Sequence, residues 1–138
     1  MKLFVPTLIG LALFVSNIIN SQEKLSITAT VVNVTSSDGK VGFALYDKEN
    51  FLKKPILASN VDIVDGKSTV TFKDVTPGDY AIVCYHDKNS NDKMDFATNG
   101  MPLEDYGSSN NIMNFGPPTF DNAKFKVSDK NVSLEIKF

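Results

Sequence analysis

The chain has 138 residues, 42% of them hydrophobic and 22% charged, with a formal net charge of −2, one cysteine, no tryptophan and no arginine. A single cysteine rules out an internal disulfide, so the core has to rest on apolar packing. The mild acidity lacks the basic face that nucleic-acid binding needs, and without arginine the side chain best shaped for bidentate phosphate recognition is missing.

Met1 to Ser21 carries a secretory leader pattern: Lys2 supplies a positive start, Leu3 to Val15 is apolar except at Pro6, Thr7 and Gly10, and small Ser21 precedes a cleavage point before Gln22. The run is shorter than the ~20 apolar residues of a membrane span. The expectation is a signal peptide over 1–21 and a single domain over 22–138, exported to the periplasm or beyond the cell, with no transmembrane segment after cleavage. Losing Lys2 with the leader takes the formal charge from −2 to −3.

Beyond the leader, alternation dominates. Leu25, Ile27, Ala29 and Val31 alternate with Ser26, Thr28 and Thr30, giving a strand with one apolar and one polar face. Val41, Phe43 and Leu45 repeat this after the turn signal Ser37-Asp38-Gly39, and Ile56 to Val64 is a weaker segment closed by Asp65-Gly66. Lys48 to Lys54 has room for one helical turn. Val70 and Phe72 sit between Thr69, Thr71 and Lys73, and Thr76-Pro77-Gly78-Asp79 is a turn. Tyr80 to Tyr85 is apolar on both faces, as in a central strand covered on both sides. Two further strands alternate around Ala123, Phe125 and Val127, then Val132, Leu134, Ile136 and Phe138. The pattern predicts an all-β fold, an antiparallel Greek-key-type sandwich of about seven strands. Its expected core is Phe43, Leu45, Phe72, Ile82, Cys84, Leu134 and Ile136, with Cys84 a buried, inert thiol. Tyr80, at a strand start after Pro-Gly, fits a corner tyrosine whose hydroxyl bonds backbone.

Residues 88–121 break the rhythm, being rich in Asn, Gly, Pro and acidic residues. Loops beyond ~12–15 residues are uncommon in compact domains unless functional or disordered. Met94, Phe96, Met101, Leu103, Tyr106, Ile112, Met113, Phe115 and Phe120 are apolar enough to pin this one down, so it is expected to be ordered. It opens with oxygen-bearing side chains at Asp87, Asn89, Asn91 and Asp95, the first, third, fifth and ninth places of the calcium loop of EF-hands. Calcium is a hard cation that takes six to eight oxygens, and a curved loop aims alternate side chains inward to supply them. The candidate metal ligands are Asp87, Asn89, Asn91, the Lys93 carbonyl and Asp95, with Ca2+ as the cofactor. The pattern departs at the sixth place, Asp92 instead of Gly, and at the twelfth, Thr98 instead of Glu. Glu104 and Asp105 are the nearest replacements for the missing carboxylate. The competing reading is an Asx-rich turn.

Four ordered motifs carry a resemblance. Pro77-Gly78-Asp79-Tyr80-Ala81, then His86 through Asp95, then Gly100 through Gly107, then Phe115-Gly116-Pro117-Pro118-Thr119-Phe120 resemble the bacterial secreted family called domain of unknown function 2141. The resemblance spans nearly all of the chain after the leader. It implies an exported all-β domain similar to transthyretin-like or carboxypeptidase-regulatory-like sandwiches, and it implies no established activity. The family usually has Gly where this chain has Asp92.

Catalysis is not expected. His86 has no second His or Cys with which to make a zinc site and reads as a hydrogen-bonded structural residue. A hydrolase assembled from Ser108 or Ser109 with His86 and Asp87 is the alternative. Gly107-Ser108-Ser109-Asn110 lacks a strand-turn-helix nucleophile elbow, and adjacent His86 and Asp87 point to opposite faces of a strand. Tyr46, Tyr85 and Tyr106 can line a stacking surface if they share a face; otherwise they are core and rim residues. The resulting expectation is a non-catalytic, calcium-stabilised binding module for an extracytoplasmic protein or glycan. Asn33-Val34-Thr35 and Asn131-Val132-Ser133 are glycosylation sequons of a kind that arises by chance.

Overall fold

The computed structural model describes residues 24–138; the leader reading falls on residues outside these. The elements are β1 (Leu25–Val31), β2 (Lys40–Tyr46), β3 (Leu57–Val61), β4 (Ser68–Val75), β5 (Gly78–Asp87), β6 (Tyr106–Ser108), a 3₁₀ turn (Ser109–Asn111), α1 (Phe120–Ala123), β7 (Phe125–Val127) and β8 (Val132–Ile136). All seven expected strands are present, and β6 is an eighth. Ala123, expected to open a strand, instead ends α1, a single turn that starts where the Thr119 side chain accepts from the Asn122 N–H. Lys48 to Lys54 makes only turns, including bonds from the Lys53 and Lys54 N–H groups to the Asn50 carbonyl.

Two sheets face each other across the core. One has the order β4-β1-β8; the other runs β3-β2-β5-β6, with β7 pairing the start of β5. The sandwich is antiparallel except at one place: β8 lies parallel to β1, with Ile27 opposite Val132 and Val31 opposite Ile136. Alternation shows which side of a strand is buried but carries no information on its direction, so this pair was not readable from the pattern.

The inward side chains of both sheets interdigitate. Ile27, Val31, Phe43, Leu45, Ile82, Cys84 and Ile136 are buried, and Val41, Phe72 and Val127 belong to the same cluster. Leu134 departs from expectation and is only partly buried, because β8 is an outer strand of its sheet. Tyr80 is the corner residue anticipated: its hydroxyl donates to the Thr76 carbonyl at 2.7 Å. Both sequon asparagines serve the frame. Asn33 exchanges two bonds with the Phe138 backbone, and Asn131 accepts from the Ser26 N–H. Among the described residues no helix is long and apolar enough to cross a membrane.

Candidate metal loop and binding groove

The acidic loop leaves the end of β5 at Asp87, which is 1% exposed. Its two carboxylate oxygens accept from the Asn91 N–H at 3.1 Å and the Asp92 N–H at 2.9 Å, which bends the chain back over the strand end. The Asn89 side-chain oxygen accepts from the Asn91 N–H, and the Asn91 oxygen from the Lys93 N–H. Both asparagines aim their amide nitrogens at Asp95, at 2.8 Å from each. The loop therefore joins the side chains of Asn89, Asn91 and Asp95, with Lys93 between the last two, while the Asp87 carboxylate faces the backbone N–H groups of Asn91 and Asp92. The donor set suits a hard cation in kind, since every side chain offers oxygen. It is lean in charge: among the described residues no three His, Cys, Asp or Glu side chains are grouped to hold a metal. To ligate, Asn89 and Asn91 have to turn their amide oxygens toward Asp95.

The two departures from the calcium-loop pattern are visible in the backbone. Asp92, at the glycine place, adopts a φ of 62°. That left-handed conformation is the one glycine takes freely and aspartate tolerates at a cost. The Asn60 side chain compensates by donating to the Asp92 carboxylate at 3.0 Å. Thr98, at the twelfth place, is carried off in a small hairpin joined by the Phe96–Pro102 bridge and the bond from the Leu103 N–H to the Asp95 carbonyl. Of the two replacement carboxylates considered, Glu104 comes to the loop. Buried, it accepts from the Lys88 N–H at 3.0 Å and the Asp95 N–H at 2.9 Å, tying the loop's entrance to its exit. Asp105 turns instead toward Thr35, at 3.5 Å.

The hairpin does not lie flat. It stands over the outer face of the second sheet and encloses a groove of about 890 Å³. Small residues Gly42, Ala44 and Ala58 make the floor, the loop supplies Asp92, Lys93, Met94 and Phe96 as one wall, and Gly116-Pro117-Pro118 borders it. Tyr46, Tyr85 and Tyr106 all line it, so the three tyrosines share a face and are not merely core and rim residues. Tyr85 lies across Gly42, where an added Cβ would come within 2.6 Å of its ring, so only glycine fits beneath it.

A family model described as uncharacterized protein conserved in bacteria (DUF2141) matches residues 29–135, from within β1 to within β8. The chain belongs to this family. No curated protein and no solved structure matches it. In this DUF2141 member the matched stretch contains the whole acidic loop, Glu104 and the groove.

Electrostatics follows the same geometry. Hydrogen bonds from Asn91, then Asn89, hold the Asp95 carboxyl below the usual carboxylate range. Burial first, then the carboxylates of Asp87, Glu104, Asp92 and Asp95, push the Tyr85 phenol up to about 12. Burial also pushes the Cys84 thiol well up, while its Sγ donates to the Gly107 carbonyl at 3.7 Å, which fits an inert thiol.

Of the hydrolase candidates, His86, Asp87 and Ser109 bond backbone groups. His86 is fully buried, stacked on Phe138 at 6.5 Å, and its Nε2 donates to the Asp38 carbonyl at 2.7 Å. A carbonyl can only accept, so Nε2 is the donor, while the buried Nδ1 has no partner among the described residues. The Ser109 hydroxyl accepts from the Ile82 N–H and donates to the Ala123 carbonyl. Ser108 sits on β6 opposite Val83.

Of the apolar residues expected to pin the loop, Phe120 packs edge-to-face on Phe51 at 5.8 Å, but most of the others do not. Phe96, Met101, Leu103, Ile112, Met113 and Phe115 are exposed, with Met113 and Phe115 the most open of all. Residues 88–121 are held instead by polar side chains on backbone: Glu104, Ser109, Asn110 on the Asn122 and Lys124 carbonyls, and Asn111 on Glu135 and Lys137. Such bonds leave no mark on hydrophobic periodicity. The only hint in the sequence was the density of Asn and Ser around Gly107.

Proposed function

We propose that this protein is an exported, non-catalytic binding module in which calcium stiffens the Asp87–Asp95 loop, and through it one wall of the groove. One observation carries the reading: the segment that gathers the oxygen ligands is continuous with the groove wall, since Asp92, Lys93, Met94 and Phe96 line the groove. Clustered carboxylates and amides that now bond one another would turn to the cation, and Glu104 would hold the loop's two ends while they do. The commitment of His86 and Ser109 to backbone carbonyls supports a non-catalytic role. Export rests on the leader pattern of residues 1–21 and is checked by the N-terminus of the secreted product, expected at Gln22.

With two carboxylates and no closing Glu, affinity should resemble extracellular calcium modules, with Kd ~10⁻⁴–10⁻³ M. At about 1 mM calcium that stabilises the folded state by ~0.4–1.4 kcal/mol. The test is calorimetry on chelator-stripped protein, repeated on Asp87→Ala combined with Asp95→Ala. Wild type should melt higher with calcium and the double variant should not respond. An unchanged wild-type melting temperature reduces the loop to an Asx-rich turn.

A further inference from the structure

The groove is apolar in its walls and acidic in its surroundings. Tyr46, Tyr85, Tyr106 and Phe96 present aromatic faces, and Met94 and Met101 add flexible, polarisable surface that adapts to varied side chains. From His86 to Tyr106 the chain carries Asp87, Asp92, Asp95, Glu104 and Asp105 against Lys88 and Lys93. Asp92 lines the groove with its carboxylate fixed by Asn60, and among the described residues Lys93 is the one cation in the lining. Aromatic faces attract cations, and they do so more strongly when partly desolvated and flanked by negative charge. An anionic ligand or an anionic membrane surface meets the wrong sign here. A glycan would find aromatic faces, but beyond the tyrosine hydroxyls the lining offers its hydroxyls only Ser59, Asn60, Asp92 and Lys93 among a larger number of apolar side chains. The volume of about 890 Å³ exceeds a single side chain and suits a short peptide segment.

We propose that the groove receives a segment of a partner protein that carries a lysine or arginine among apolar side chains. The cation sits against the tyrosine faces and Asp92, and its apolar neighbours sit against Phe96 and Met101. This rests on the protein being a binding module and is independent of calcium.

The test is fluorescence anisotropy with a dye-labelled peptide of alternating Lys and Leu, read against alternating Glu and Leu and alternating Ser and Leu. It is run in chelator and again with calcium. The Lys peptide should bind saturably, weaken with salt, and outbind the other two. Phe96→Ala and Asp92→Asn should each weaken it by about fivefold; Phe96 is 59% exposed, so the fold survives, as circular dichroism checks. Asp129→Asn, in the β7–β8 turn, should leave affinity unchanged and so separates the groove from general charge attraction. No saturable binding of the Lys peptide, equal binding of all three peptides, indifference to both groove variants, or saturable binding of chitohexaose or phosphatidylcholine vesicles instead overturns the proposal. Peptide binding without calcium stabilisation sinks only the calcium reading, and calcium stabilisation without peptide binding sinks only this one.

Discussion

The outer faces of the two sheets rest on one core and meet solvent in opposite ways. On the β4-β1-β8 sheet, Thr28 bonds Thr71 at 3.2 Å and Thr30 bonds Thr69 at 3.0 Å across the strands. Those side chains are polar and satisfied, and the face needs no cover. On the other sheet the outward positions are Gly42, Ala44, Val83 and Tyr85, and residues 92–102 and 116–118 rise around them. A strand that alternates finishes itself, whereas a strand apolar on both sides has to be covered by something else in the chain. Here the cover is incomplete, and the gap it leaves is the groove.

Substitutions can break this contrast in order of size. Phe43→Ala removes a side chain 2% exposed between the sheets and should cost ~3–5 kcal/mol in denaturant unfolding. A cost below about 1 kcal/mol would mean that the sheets do not pack through that position. Glu104→Ala strips two backbone N–H groups of their acceptor, so a loss of ~2–3 kcal/mol is expected, with faster hydrogen exchange confined to the loop and hairpin. Exchange spread evenly over both sheets would contradict a local anchor.

Alkali sharpens the contrast further. The Tyr85 phenol is raised from 10.0 to about 12 by burial and then by neighbouring carboxylates. The folded state thus holds this proton more tightly than the unfolded chain, and the associated stability is present below pH 10 and lost as the pH rises through about 12. Burial also raises the Tyr46 phenol, so ultraviolet titration should find ionisation delayed beyond pH 10, with the latest part, near pH 12, missing in Tyr85→Phe. If all four tyrosines ionise together near pH 10, the groove is wetter and less acidic than its geometry implies. The smallest effect belongs to the finished face. Thr28→Ala should cost only ~0.2–1 kcal/mol, the worth of one cross-strand pair.

Much of the scaffold was legible because burial writes itself into alternation. Leu25 to Val31, Val41 to Leu45 and Val70 to Phe72 landed on the expected faces, and the turn at Pro77-Gly78 placed Tyr80 at its corner. The parallel course of β8 was not legible, since a reversed strand has the same period. Of the site, the spacing marked a polar loop in which Asn89, Asn91 and Asp95 bond one another and Asp87 anchors the backbone. The shared face of Tyr46, Tyr85 and Tyr106 escaped because it depends on the register of β2 against β5 and of β5 against β6. Glu104 and Asp105 are equivalent in the sequence, and only the backbone path through Leu103 turns the first to the loop and the second to Thr35.

The parallel pairing of β1 and β8 also governs the order in which the molecule can be made. β1 is the middle strand of its sheet, and its two neighbours arrive at very different times: β4 about forty residues later, β8 about a hundred. Until Val132–Ile136 has emerged, one side of β1 has open main-chain groups and Ile27 and Val31 lack part of their packing. Contacts between such distant segments close slowly, because a long loop has to be ordered before any pairing is gained. Synthesis from one end therefore cannot lock this sandwich piece by piece. The β4-β1-β8 sheet stays incomplete until Val132–Ile136 is available to pair.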